Sequence, residues 1–130
     1  MVSALKRFFA ITGLAAAAAL AGSDAGRAQG GLLEVYVAFL GPADHYNSRG
    51  ARLTEPWQII RQDRANFHRF GIRDPGDQGD RFFASANNRE RMERMILNGY
   101  IDPSAAWRIV NENVWIRVEI YPNSVNVTVN

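Results

Sequence analysis

The sequence VWIRVEIYPNSVNVTV, residues 114–129, has the most regular apolar alternation in the chain. Its first half divides into two sets of side chains: Val114, Ile116, Val118 and Ile120 on one face of an extended strand, and Trp115, Arg117, Glu119 and Tyr121 on the other. A Pro-Asn-Ser turn follows at 122–124, after which valine recurs at positions 125, 127 and 129. This pattern predicts a β-hairpin with one aliphatic face.

An earlier segment, Leu32–Leu40 (LLEVYVAFL), predicts the first strand of the same sheet. Its alternation also gives two sets: Leu33, Val35, Val37 and Phe39 on one face, and Glu34, Tyr36 and Ala38 on the other. The first set is entirely apolar, so we expect it to face the core. Gly41 and Pro42 end the strand.

Three helices are predicted between this strand and the hairpin. The first spans about residues 55–70, with Thr54 as its N-cap and Gly71 as its stop. The second spans 86–98 after Ser85, and the third begins after Asp102 and reaches about residue 112. The order β-α-α-α-β-β predicts an α+β fold, a three-stranded, mainly antiparallel sheet with three helices packed on one face. The pattern leaves the strand order open.

The first 28 residues have the pattern of a signal peptide. Lys6 and Arg7 precede an apolar run over 8–21, which is too short for an ordinary membrane span and is followed by small residues. Cleavage after Ala28 is preferred and cleavage after Ala25 is the alternative; an uncleaved anchor is the other interpretation. We therefore expect a single compact α+β domain over 29–130, periplasmic or secreted, with no stable membrane anchor after cleavage.

The charge of that domain argues against nucleic acid as a partner. Of 15 basic and 13 acidic residues, three basic and one acidic lie before residue 29, so 12 of each remain. Nucleic-acid binding usually requires a surplus of cations to neutralise phosphates. The chain has no cysteine, so its core must hold it together without disulfides.

Asp63 is the most informative polar residue of the first predicted helix. It falls in the middle of the arc formed by the apolar residues of that helix, where an unpaired carboxylate is costly. We expect partners from the preceding loop: His45, Asn47, Ser48, Arg49 or Arg52. Asn88 of the second helix is another candidate. Asp63 is then either a structural hub or, with His45, an acid–base pair.

Metal and cofactor motifs are weak in this sequence. Asp74, Asp77 and Asp80 recur in a glycine-rich loop, but they lack the alternation and late glutamate of a calcium loop, and turn formation explains them more simply. His45 and His68 do not have ligand spacing. With neither a phosphate loop nor a dinucleotide motif present, we predict no metal site and no cofactor.

The second face of the predicted sheet is the candidate binding surface. It would present Tyr36, Trp115, Arg117 and Tyr121, and no fourth helix is predicted to cover it. A protein, peptide or glycan partner is possible, as is a homodimer through this face. The leading hypothesis is therefore a non-enzymatic binding or interaction protein of the bacterial periplasm or cell envelope, using this face and the loop 42–53. The alternative is a small hydrolase with Asp63 and His45 as its acid–base pair.

Overall fold

The computed structural model describes residues 30–130, which form a mixed α+β domain. In chain order its helices and strands are β1 (Glu34–Leu40), α1 (Pro56–Ala65), α2 (Ala86–Arg89), α3 (Met92–Asn98), β2 (Tyr100–Ile101), α4 (Pro103–Asn111), β3 (Val114–Ile120) and β4 (Val125–Val129). The α+β class is confirmed. The predicted signal peptide and its cleavage positions lie outside the described residues.

The sheet has four strands in the order β1-β3-β4-β2, so the prediction of three strands was wrong. The pairs β1–β3 and β3–β4 are antiparallel, whereas β2 runs parallel to β4. Strand β2 has only two residues, too few to show an alternation in sequence. Gly99 allows this pairing, because a Cβ atom there would lie 1.7 Å from the carbonyl oxygen of Val125.

The orientation of β1 is the reverse of the prediction. Tyr36 pairs with Val118, and Ala38 pairs with Ile116, so both lie on the face that carries the aliphatic side chains of the hairpin. Tyr36 is 0% exposed. Val35 and its alternate neighbours instead lie on the outer face, and the expected core face of this strand was wrong. Both faces of β1 are apolar, so only the pairing with β3 decides which of them is buried.

The helices cover one face of the sheet. Helix α1 contacts β1, while α3 and α4 contact β4. The second predicted helix is divided into α2 and α3 by a turn at 90–91. Ser85 and Asp102 cap α2 and α4 as predicted, accepting the backbone N–H groups of Asn88 and Ala105.

Helix α1 begins and ends differently from the prediction. Glu55 rather than Thr54 is its N-cap residue, and the side chain of Gln58 accepts both of their backbone N–H groups. Its last turn widens into a π-helical segment, Asn66–Phe70, which stops at Gly71 with φ of 68° as predicted. Phe70, one of the apolar residues whose arc predicted the core face of the first helix, is 44% exposed. The widened turn changes which side chains face outward.

The described residues contain no helix with the length and apolar character needed to span a membrane.

Candidate functional site

An open groove of about 450 Å³ lies between the loop after β1 and the end of α1. Its lining residues come from both segments: Ala43, Tyr46, Asn47, Ser48, Gln62, Asn66, Phe70 and Ile72. The volume falls in the range of small-molecule sites, and the mixture of apolar rims and a few polar groups is typical of them. We call this the α1 groove.

Helix α1 and its π-helical turn supply one wall of the α1 groove. Gln62, Asn66 and Phe70 follow one another at intervals of four residues, which places them on one side of the helix. After Gly71 the chain turns back, and the N–H of Ile72 donates to the carbonyl of Asn66 at 2.8 Å. Phe70 and Ile72 are both exposed and form an apolar rim.

The opposite wall is a short loop that Asn47 closes on itself. The Oδ1 atom of Asn47 accepts the backbone N–H groups of Arg49 and Ala51, each at 2.9 Å. Gly50, with φ of 80°, supplies the left-handed residue that this turn requires. Tyr46 lies at the start of the loop and is 46% exposed. The amide nitrogen of Asn47 has no bond within residues 30–130, so it is free to donate.

His45 holds this loop against the body of the domain. It is buried, and each of its ring nitrogens lies against a backbone carbonyl: Nδ1 is 2.8 Å from Gly41 O, and Nε2 is 2.9 Å from Ile109 O. Arg52 reinforces the attachment by donating to the carbonyls of Leu53 and Val110. His45 borders a smaller depression of about 210 Å³, and each of its ring nitrogens lies against a backbone carbonyl.

Asp63 lies in a second, sealed site centred on Arg64. Asp63 is 2% exposed, and its Oδ2 atom accepts a hydrogen bond of 2.8 Å from Arg64 Nε. A second nitrogen of the guanidinium donates to Asp80 Oδ1 at 2.9 Å, and this oxygen also lies 2.9 Å from His68 Nε2. The guanidinium carbon lies 3.9 Å from the centre of the Tyr36 ring. We call these five residues the Arg64 cluster.

Burial raises the pKa of two members of the Arg64 cluster, Asp63 and Tyr36. It raises the pKa of Asp63 to about 8, against the opposing effect of the Arg64 charge. Burial likewise raises the pKa of Tyr36. One guanidinium balances the charge of one carboxylate, so a single proton shared between the two aspartates bonded to Arg64 makes the three groups together neutral.

The predicted site residues fall in separate places. Within residues 30–130, Asp63 and His45 share no hydrogen bond, and the partner of Asp63 is the adjacent Arg64 rather than the loop 42–53. Asn88 bonds the carbonyl of Phe82 instead. Arg64 was not expected as the partner of Asp63, because adjacent side chains on an ideal helix do not face each other.

The proposed sheet surface is smaller than expected. Tyr36 lies under the helices, so its assignment to the outer face was wrong. Trp115 is partly exposed and lies against Gly76, where a Cβ atom would be 2.9 Å from the indole. Arg117 pairs with Glu119 at 2.7 Å, and Tyr121 is half-buried. Trp115 and Arg117 therefore remain on the outer face without Tyr36.

The three aspartates of the loop 74–80 have different roles. Asp77 accepts the backbone N–H groups of Phe39 and Asp74, and Asp80 belongs to the Arg64 cluster. In the part of the chain that the structure describes, no group of three or more histidine or acidic side chains is arranged to hold a metal ion. The loop runs beside the free edge of β1, where Gln78 exchanges hydrogen bonds with Val37.

No protein-family model, curated protein or solved structure matches this chain. Its fold and site define a small α+β domain that has an open, uncharged groove and a separate, sealed ionic cluster.

Proposed function

We propose that this protein is a non-enzymatic ligand-binding domain of the bacterial periplasm or cell envelope, and that its ligand binds in the α1 groove. One observation carries the proposal: the groove is open to solvent and combines exposed Tyr46 and Phe70 with amide side chains. Aromatic surface beside a few oriented polar groups is the usual composition of a ligand site.

The arrangement of the titratable groups supports binding over catalysis. A hydrolase that used Asp63 and His45 would need both within hydrogen-bond reach of the reacting atoms. Asp63 instead bonds Arg64 in a sealed cluster, and the ring nitrogens of His45 lie against two backbone carbonyls elsewhere. The geometry therefore gives the hydrolase hypothesis no support.

Export is part of the proposal and rests on the N-terminal sequence pattern. Expression with the natural N-terminus, followed by cell fractionation and N-terminal mass spectrometry, tests it. We expect periplasmic protein that begins at Gln29, or at Gly26 if Ala25 precedes the cleavage. Recovery of the intact chain in the cytoplasm would refute export.

A second candidate function is self-association through the outer face of the sheet. Leu33, just before β1, is 50% exposed, and Val35 on β1 is also exposed, whereas the inner face of this strand is already apolar. A strand that is apolar on both faces is typical of one buried on both sides. Light scattering coupled to gel filtration should give twice the chain mass for the wild type and the monomer mass for Leu33→Ser combined with Val35→Thr. Leu97→Ser, at an exposed position of helix α3 and away from the outer face of the sheet, is the matched control. A monomeric wild type at 100 μM excludes the homodimer.

Ligand binding in the α1 groove is tested by fragment screening with ¹H–¹⁵N correlation spectra. We expect hits to shift the amide resonances of residues 43–48 and 62–72. Tyr46→Ala should weaken these shifts about tenfold, because it removes a large exposed contact of about 1.4 kcal/mol. Trp115→Ala on the sheet face should leave them unchanged. If the fragments shift only the amide resonances of residues 115–119, the ligand site lies on the sheet and not in the α1 groove.

A further inference from the structure

We infer that the ligand of the α1 groove is a neutral saccharide, and that Asp44 orients the groove to receive it through Asn66 and Gln62. Asp44 is a positioning residue in this inference, because Gln62 and not Asp44 contacts the ligand. The inference rests on the proposed ligand-binding function and specifies the chemical class of ligand.

A continuous chain of hydrogen bonds joins buried Asp44 to the groove. The N–H of Gly41 donates to Asp44 Oδ2 at 3.0 Å, and Asn66 Nδ2 donates to Asp44 Oδ1 at 2.9 Å. Asn66 Oδ1 then accepts from Gln62 Nε2, also at 2.9 Å. Asp44 and Asn66 are buried, whereas Gln62 is partly exposed and lines the groove.

The direction of this chain determines which atom of Gln62 remains free. An ionised carboxylate only accepts hydrogen bonds, so Asn66 must turn its nitrogen toward Asp44 and its oxygen toward Gln62. Gln62 must then offer its nitrogen to Asn66. Its Oε1 atom has no partner among residues 30–130 and is left as a hydrogen-bond acceptor for the ligand.

The other groove residues indicate what kind of ligand would use this acceptor. None of the eight lining residues carries a formal charge, so a charged ligand would lose hydration without gaining a partner. Beside the acceptor of Gln62 lie donor groups, the amide of Asn47 and the hydroxyl of Ser48. A sugar hydroxyl both donates and accepts, and the C–H face of a pyranose can stack on Tyr46 or Phe70.

The protonation of Asp44 supplies a signature specific to the hydrogen-bond chain. Burial raises the pKa of Asp44 to about 6, and the carboxylates of Asp74 and Asp77 reinforce this, whereas the bonds from Asn66 and Gly41 oppose it. Asp63 also faces Asp44 electrostatically from α1. A protonated Asp44 can donate to Asn66, so both amides can reverse and Gln62 can present nitrogen instead of oxygen. Gln62 would then add a donor beside those of Asn47 and Ser48, and the O–H groups of the sugar would lose the Gln62 acceptor. Saccharide binding should therefore weaken as the pH falls through about 6.

The test is a titration of the purified protein, followed by ¹H–¹⁵N spectra at pH 7.5 and pH 5.0. The probes are maltose, N,N′-diacetylchitobiose, glucuronic acid as the charged sugar, and indole as a neutral ligand that is not a sugar. We expect one or both neutral disaccharides to shift the resonances of residues 43–48 and 62–72, with glucuronic acid at least tenfold weaker. Affinity at pH 5.0 should be several-fold lower.

Two variants separate positioning from folding. Gln62→Met keeps the size of the side chain and removes the acceptor, so it should weaken disaccharide binding about five- to tenfold, as expected for one hydrogen bond. Asp44→Asn should weaken binding and also remove its dependence on pH between 5.0 and 7.5. If Asp44→Asn does not fold, Gln62→Met and the wild-type pH profile still decide the matter.

The outcomes distinguish this inference from the proposed function. Groove shifts with indole but with no sugar would overturn the saccharide and leave ligand binding in place. Glucuronic acid binding as tightly as the neutral sugars would overturn the requirement for neutrality. No groove shifts with any probe or fragment would overturn both proposals. Unchanged affinity in Gln62→Met would remove Gln62 and Asp44 from the site.

Discussion

The Arg64 cluster and the α1 groove place polar side chains in opposite environments, the first buried and the second open to solvent. The cluster concentrates charge, with Arg64 bonded to Asp63 and Asp80 where their side chains are almost completely excluded from solvent. The groove has no charged lining residue, yet it is open and leaves amide atoms free. In the cluster, the titratable side chains bond one another in the interior and so have a structural role. In the groove, polar atoms that are exposed and without a partner among residues 30–130 are available to bind a ligand.

The two regions are connected through α1, which contributes to both. Asp63 and Arg64 lie on its inner side, while Gln62 and Asn66 lie beside the groove. The cluster holds the helix on the sheet, because Arg64 covers the ring of Tyr36 on β1. A rigid helix in turn keeps the groove in one shape, which reduces the entropy lost when a ligand binds.

The largest expected effect comes from removing the centre of the cluster. Arg64→Met should lower the free energy of unfolding by about 3–5 kcal/mol, because it removes the guanidinium to which the buried carboxyl groups of Asp63 and Asp80 are bonded. Urea unfolding measures this loss. Arg49→Met, at an exposed position in the loop, is the matched control and should change stability by less than about 0.5 kcal/mol. Equal effects in the two variants would contradict a structural role for the cluster.

The next effect is a pH dependence that belongs to the cluster. The pKa of Asp63 is raised to about 8 in the folded state, so the folded protein retains a proton that the unfolded chain releases near pH 4. Stability should therefore fall by several kcal/mol as the pH rises from about 4 to about 8, and then become level. Asp44 also lowers stability as the pH rises, but its contribution becomes level near pH 6 because its pKa is about 6 in the folded state.

Asp63→Asn isolates this contribution, since asparagine cannot titrate. Urea unfolding at several pH values should show that the variant loses most of the decline between pH 6 and pH 8. An unchanged decline in Asp63→Asn would mean that another group holds the proton.

The smallest effect on stability, and a clear effect on binding, is expected at the groove. Phe70→Ala removes a side chain that is already half exposed, so the free energy of unfolding should change by less than about 1 kcal/mol. Affinity for a groove ligand found by fragment screening should fall about tenfold. A large loss of stability with unchanged affinity would mean that Phe70 has a structural role and does not contact the ligand.

Sequence reasoning predicted the cluster better than the groove. The burial of Asp63 followed from its position among the apolar residues of one helix. The rest of the cluster did not, because Asp80, which bonds Arg64, lies 17 residues from Asp63 across a loop. The loop 42–53 was expected to lie beside the first helix and to take part in binding, but no local pattern indicated that residues 43–48 and 62–72 enclose a groove. A spacing of four between Gln62 and Asn66 was the available signal.

Features that depend on neighbouring residues along the chain could be predicted from the sequence alone. These are the aliphatic face of the β3–β4 hairpin, the caps at Ser85 and Asp102, and the stop at Gly71. Each depends on side-chain alternation, a local hydrogen bond or a backbone angle, and these act over only a few residues.

Three features depend on tertiary contacts: the buried face of β1, the pairing of β2 with β4, and the position of the α1 groove. Both faces of β1 are apolar, so its pairing with β3 selected Tyr36 for the interior. Strand β2 exists because Gly99 lets two backbones approach, and the groove exists because a distant loop lies beside a π-helical turn. Burial depends on neighbours that are distant in the chain, and an alternation of apolar residues cannot identify them.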